Sequence, residues 1–75
     1  MSQSVMNGDS FIIVNGTNMP ISGNETVQSV IGRLNMDPTR IAVELNGDIC
    51  PRTDYDSVIL KKGDVMEIVS FVGGG

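Results

Sequence analysis

Apolar residues fall in short runs whose spacing changes twice along the chain. Phe11-Ile12-Ile13-Val14 is a β-branched run that stops at Asn15-Gly16. An Asn-Gly pair between extended segments predicts a two-residue hairpin turn, because a type I′ turn needs positive φ at both central positions. Phe11–Val14 is therefore expected to pair with residues 18–21. After Ser22-Gly23-Asn24 the period becomes helical: Val27, Val30, Ile31 and Leu34 stand at i, i+3, i+4 and i+7, one face of an amphipathic helix. Thr26 is placed to cap it, its hydroxyl taking a free N–H of the first turn. Gly32 costs that helix ~1 kcal/mol relative to Ala, and close packing against a sheet is the expected reason. The helix must stop near Asn35, since Asp37 precedes Pro38 and is pushed out of helical φ/ψ space.

Extended character then returns. Ile41-Ala42-Val43-Glu44-Leu45 leads into a second Asn-Gly pair, and the return segment Asp48-Ile49-Cys50 is cut short by Pro51, which cannot donate to a ladder and so favours a sheet edge. Residues 52–57 carry no period; Val58, Ile59 and Leu60 are expected to cover the open end of the core. Lys61-Lys62-Gly63-Asp64 turns the chain into residues 65–72, apolar at most positions, as in a strand that is central or buried on both faces. The predicted order is β-β-α-β-β-β. A single helix can cover one face of a small sheet, so part of the other face should stay open. These features point to an α+β, β-grasp architecture, with the first and last strands adjacent and parallel in the middle of a mixed sheet. Residues 1–9 show no periodicity and are expected to be a disordered extension, residues 10–72 the folded domain, and residues 73–75 a flexible glycine tail.

Composition narrows the function. Seventy-five residues make one domain that buries only ~60% of its unfolded surface, which leaves little room for a deep active site. A single cysteine and no histidine exclude an internal disulfide and remove the commonest general base and metal ligand. The net charge of −4 and the scattered Arg33, Arg40, Arg52, Lys61 and Lys62 argue against nucleic acid, whose phosphates require clustered cations. No apolar run approaches the ~20 residues of a membrane helix, and a cytoplasmic location without membrane attachment is expected. Met6, Met19, Met36 and Met66 have no spacing that suggests a metal or haem site and are read as gap-filling or surface residues.

The chain closes on Val72-Gly73-Gly74-Gly75, directly after the last apolar segment. Without Cβ atoms these glycines are thin, and a terminal carbonyl there is sterically open. A partner enzyme could take such a tail into a narrow channel and react with its carboxylate.

The order and spacing of Val14-Asn15-Gly16, Glu25-Thr26-Val27, Leu34, residues 42–47, Pro51-Arg52, Lys62-Gly63-Asp64 and residues 67–75 resemble the ThiS family, the ubiquitin-like sulfur carriers of thiamine biosynthesis. The resemblance implies that the Gly75 carboxylate is the working group, Gly73 and Gly74 supply reach, and Phe71 and Val72 seat the base of the tail. It further implies a ThiF-like adenylating enzyme that binds the ATP and any metal, a cysteine desulfurase as indirect sulfur source, and the thiazole synthase ThiG as acceptor. The chain itself would bind no cofactor or metal and would be a protein cosubstrate rather than an enzyme. Two alternatives remain: the small subunit of molybdopterin synthase or another diglycine sulfur carrier, and a non-catalytic ubiquitin-like binding module. The stretch from Asn46-Gly47 to Pro51-Arg52 and the lead-in Phe71-Val72-Gly73 look more like the thiamine carriers. Cys50, ahead of Pro51, reads as a small buried hydrophobe rather than a relay thiol, and Arg52 as half of a surface ion pair.

Overall fold

The computed structural model describes residues 10–71. The extension expected at residues 1–9, which includes Met6, the last residue of the expected domain, Val72, and the tail expected at residues 73–75 lie outside that span.

Strand β1 (Phe11–Val14) and strand β2 (Thr17–Pro20) form the first hairpin. Asn15 and Gly16 have φ of 49° and 85°, the positive values that a two-residue turn demands. Such a turn sets Val14 directly opposite Thr17, so β2 starts one residue earlier than expected and ends at Pro20. Ile21 lies just past the strand, its N–H donating to the Ser10 carbonyl at 2.9 Å while its side chain stays in the core.

Helix α1 (Val27–Arg33) opens with a capping box: the Ser29 N–H donates to the Thr26 hydroxyl at 3.0 Å and the Thr26 N–H to the Ser29 hydroxyl at 2.9 Å. Two further N–H groups of the first turn are satisfied by a segment distant in sequence, Val27 donating to the Val58 carbonyl and Gln28 to the Tyr55 carbonyl. The far end closes through Asn35 in the left-handed region at φ 58°. There the Asn35 N–H reaches the Gly32 carbonyl and the Met36 N–H the Ile31 carbonyl, the bond pair of a Schellman motif. This reversal corrects the predicted face: Val27, Val30 and Ile31 are buried, but Leu34 is 37% exposed and Met36 packs against the core in its place. The close approach expected at Gly32 is also absent. A Cβ there would meet nothing within 4 Å.

Strand β3 (Ile41–Leu45) follows a 3₁₀ turn at Pro38–Arg40, and strand β4 (Asp48–Cys50) returns beside it through Asn46-Gly47. Strand β5 (Val65–Ser70) completes a five-stranded sheet in the order β2-β1-β5-β3-β4. It runs parallel to β1 (Ile13 opposite Val65) and antiparallel to β3 (Ile41 opposite Ser70). The expected β-grasp topology is thus present, with Pro20 and Pro51 at the two edges. The helix packs on one face over Ile12, Val14, Val43, Met66 and Ile68. Between β4 and β5 a 3₁₀ turn at Arg52–Asp54 delivers the buried Tyr55 to the core, an anchor that the aperiodic stretch at residues 52–57 does not reveal. Val58 and Leu60 close the core as expected, whereas Ile59 points outward and forms an isolated bridge with Thr26.

Candidate functional site at the carboxyl end of the last strand

β5 is central, yet only alternate side chains are buried. Met66 and Ile68 face the helix, while Val65, Glu67 and Val69 face outward, Val69 being 61% exposed. Pleating explains this, since neighbours along a strand point to opposite faces and only one face has a helix to cover it. Phe11 from β1 and Ile49 from β4 extend the open face to either side. In its middle Glu44 and Glu67 stand directly opposite each other on β3 and β5, with Ile49 opposite Glu44 on the next strand.

Two asparagines hold β5, one at its first residue and one at Ile68. At its start the Val65 N–H donates to Asn46 Oδ1 at 2.9 Å, and Asn46 Nδ2 donates to the buried Asp64 carboxylate, which also accepts the Lys61 N–H. Further along, the Ile68 N–H donates to Asn15 Oδ1 at 2.7 Å and Asn15 Nδ2 donates to the Ile68 carbonyl at 3.1 Å. The Asn15 amide thereby continues the β1 side of the ladder after β1 has turned away. Sequence reasoning saw both asparagines only as turn formers; their side-chain partners lie 53 and 19 residues away and leave no local signal.

Beyond Ser70 the strand lets go. The Phe71 N–H donates to the Arg40 carbonyl at 2.8 Å, and the Phe71 ring is 57% exposed. Of the residues expected to form the tail site, Phe71 is thus placed at the root, while Val72, Gly73, Gly74 and Gly75 fall outside the described residues. Beside Phe71 lies a groove of about 330 Å³, bounded by Pro38, Ala42, Ile49, Pro51 and Arg52. Sequence reasoning did not assemble these residues, although the two prolines that interrupt the chain on either side of the β3–β4 hairpin mark its ends.

Cys50 sits in the groove wall as the buried small side chain expected. Burial first, and Asp54 second, push its thiol above the ordinary value, so the nucleophilic thiolate is disfavoured. Arg52 departs from expectation: among the described residues no ion pair includes it, the pairs being Arg33–Glu25 and Arg40–Asp37. Asp37 is already occupied. It accepts the Thr39 hydroxyl and N–H, and these bonds, with smaller help from Arg40 and Arg52, hold its carboxyl below the usual range.

Comparison with known proteins bears on the whole folded span. A crystal structure of the thiamine biosynthesis protein ThiS from Geobacter metallireducens is 29% identical, with a TM-score of 0.73, over 87% of this chain and 99% of that one. A solution structure of a thiamine biosynthesis protein from the same organism is 32% identical, with a TM-score of 0.68, covering 87% of each chain. A thiazole synthase from Paramagnetospirillum magneticum is 39% identical over 64 residues, which are 85% of this chain and 20% of that protein. The chain therefore spans about a fifth of the curated thiazole synthases it matches. The ThiS family model matches residues 12–75, from the second position of β1 through the final glycine, and on that agreement of sequence and topology the chain belongs to the ThiS family.

Proposed function

We propose that the chain is a sulfur carrier for thiamine biosynthesis whose Gly75 carboxylate is loaded and unloaded by partner enzymes. The observation that carries this reading is the family match, which does not stop with the folded body but includes the terminal glycines. The neighbouring structures named for thiamine biosynthesis and the thiazole synthases that contain a matching segment support it.

A carboxylate is a poor electrophile because its charge repels nucleophiles and oxide is a bad leaving group. In the proposed cycle a Gly75 carboxylate oxygen attacks the α-phosphorus of ATP on a ThiF-like enzyme, and pyrophosphate departs. The terminal sulfur of a persulfide, charged by a cysteine desulfurase, attacks the acyl carbon and AMP leaves. A thiol then breaks the S–S bond, becoming oxidised to a disulfide and freeing the thiocarboxylate. Thiazole synthase accepts the sulfur. Nucleotide, metal and catalytic groups belong to the partners, and this chain supplies the acyl group on a thin arm. Gly73 and Gly74 let an enzyme's backbone close around that arm, while Phe71 and Val72 seat its base.

Incubation with ATP, the ThiF-like enzyme and a persulfide donor tests the reading. Intact-mass analysis should show one oxygen replaced by sulfur, localised to the C-terminal peptide. Gly74→Ala should fold normally and be adenylated more slowly; equal rates would remove the steric role of the glycines, and a chain never adenylated would remove the carrier role.

A further inference from the structure

The cations of this acidic chain are unevenly committed. Arg33 is tied to Glu25 and to the Pro20 carbonyl, Lys61 and Lys62 precede the start of β5, and Arg40 lies 3.7 Å from Asp37. Arg52 alone stands on the rim of the groove beside Phe71, with no ion pair among the described residues. The groove next to it is largely apolar: Phe71 on one side, Ile49 (68% exposed) on the other, and Ala42 between. Its thiol contributes no charge, because burial keeps Cys50 protonated. An apolar notch with one guanidinium at its lip, within the field of Asp37 but in no ion pair among the described residues, complements an apolar side chain carried next to a carboxylate.

Reach identifies the bearer of that carboxylate. Four residues follow Phe71, and fully extended they span at most ~14 Å. An enzyme that holds the Gly75 carbonyl in its nucleotide site therefore comes within ~14 Å of Phe71, a residue that lines the groove. Resting on the carrier reading, we infer that the groove between β3, β4 and the Arg52 turn is a docking notch for the adenylating enzyme, taking an apolar side chain whose neighbouring Asp or Glu pairs with Arg52. Arg52 is then a specificity residue that acts on encounter and alignment and takes no part in the chemistry at Gly75.

ATP–pyrophosphate exchange by the ThiF-like enzyme, with the full-length carrier as varied substrate, tests the inference. Arg52→Glu should raise the carrier KM about tenfold and leave kcat at saturation unchanged, the signature of binding lost equally from ground and transition states. Arg52→Lys, which keeps the charge but not the planar fork, should recover most of the affinity, and raising the salt should narrow the gap between wild type and Arg52→Glu. Ile49→Ser should raise KM without the salt dependence. Thermal melts of the three surface variants serve as fold controls. An unchanged KM for a folded Arg52→Glu overturns the inference, as does a fall in kcat alone. So does sedimentation showing that Arg52 instead holds two copies of the chain together. If wild type supports no exchange the carrier reading itself fails, whereas exchange that is equal in wild type and Arg52→Glu removes only the notch.

Discussion

The two faces of the sheet use similar side chains for different ends. On the helix side Ile12, Val43, Met66 and Ile68 are buried against α1, and on the other side Phe11, Ile49, Val65 and Val69 remain in contact with water. Ile68 and Val69 are neighbours on β5 and of comparable apolarity, so the difference arises from pleating and from the presence of one helix. The first face holds the fold together. The second exposes apolar side chains on either side of the Glu44–Glu67 pair, and exposed apolar patches rimmed by polar residues mark contacts with other molecules. On the proposed carrier reading a rigid body and a contact surface are both required, and alternate residues of the same strands would supply them.

Substitutions at those two neighbours test this division most severely. Ile68→Ala should lower the unfolding free energy by about 2–5 kcal/mol, since it leaves a cavity beneath α1. Val69→Ala should cost less than about 1 kcal/mol, the scale of strand propensity on an open face. Urea denaturation followed by circular dichroism measures both. Equal losses would mean that the open face is covered in solution and that the two sides are not functionally distinct.

The same contrast explains what could be read without coordinates. The hairpins, the helix and their order were legible because their determinants are local: two Asn-Gly pairs, one helical period, and prolines where ladders end. What was missed depends on chain segments distant from one another. Leu34 fits the helical period, but the reversal at Asn35 carries Met36 into its place. Tyr55 lies in an aperiodic stretch; its side chain is buried in the core while its carbonyl accepts the Gln28 N–H at the start of α1. At the candidate site Phe71 is named through the family resemblance, inside an apolar segment read as strand to residue 72, whereas β5 ends one residue before it at Ser70. The open neighbourhood of Arg52 could not be read from the sequence, since it depends on where Asp37, Thr39 and Arg40 spend their charges and hydrogen bonds.

Asn15 offers a smaller effect that joins the two faces, because its amide holds the strand supplying residues to both. Asn15→Ala should destabilise by about 1–3 kcal/mol, leaving the Ile68 N–H and C=O without these partners. It would also place alanine at positive φ. Asn15→Gly separates the two causes: it tolerates the turn and still lacks the amide. If Asn15→Gly is as stable as wild type, the contribution of Asn15 is conformational and the clamp on β5 is unimportant.

On the helix, Gly32 lies outside both faces, and nothing approaches the space its Cβ would fill. Gly32→Ala should therefore raise stability by about 0.5–1 kcal/mol, through propensity and a less flexible unfolded chain. A loss instead would show that α1 sits closer to a neighbour in solution, and an unchanged adenylation rate would place this helix surface away from the working side.

The smallest expected effect lies at the centre of the open face. Glu44 and Glu67 are direct cross-strand partners, and like charges in that relation are unfavourable, so Glu67→Lys should stabilise the free protein by roughly 0.2–1 kcal/mol. The gain should shrink in high salt because both groups face water. If the repulsion serves contacts with other molecules, four carboxylates would meet were two copies to join through this face, whereas a partner's basic side chain could sit between the pair. Glu67→Lys should thus be more stable and, as a carrier, less readily adenylated at low salt. A variant that gains stability with no loss in adenylation would assign the pair to discouraging self-association alone, and sedimentation of the variant would then show dimers that the wild type does not form.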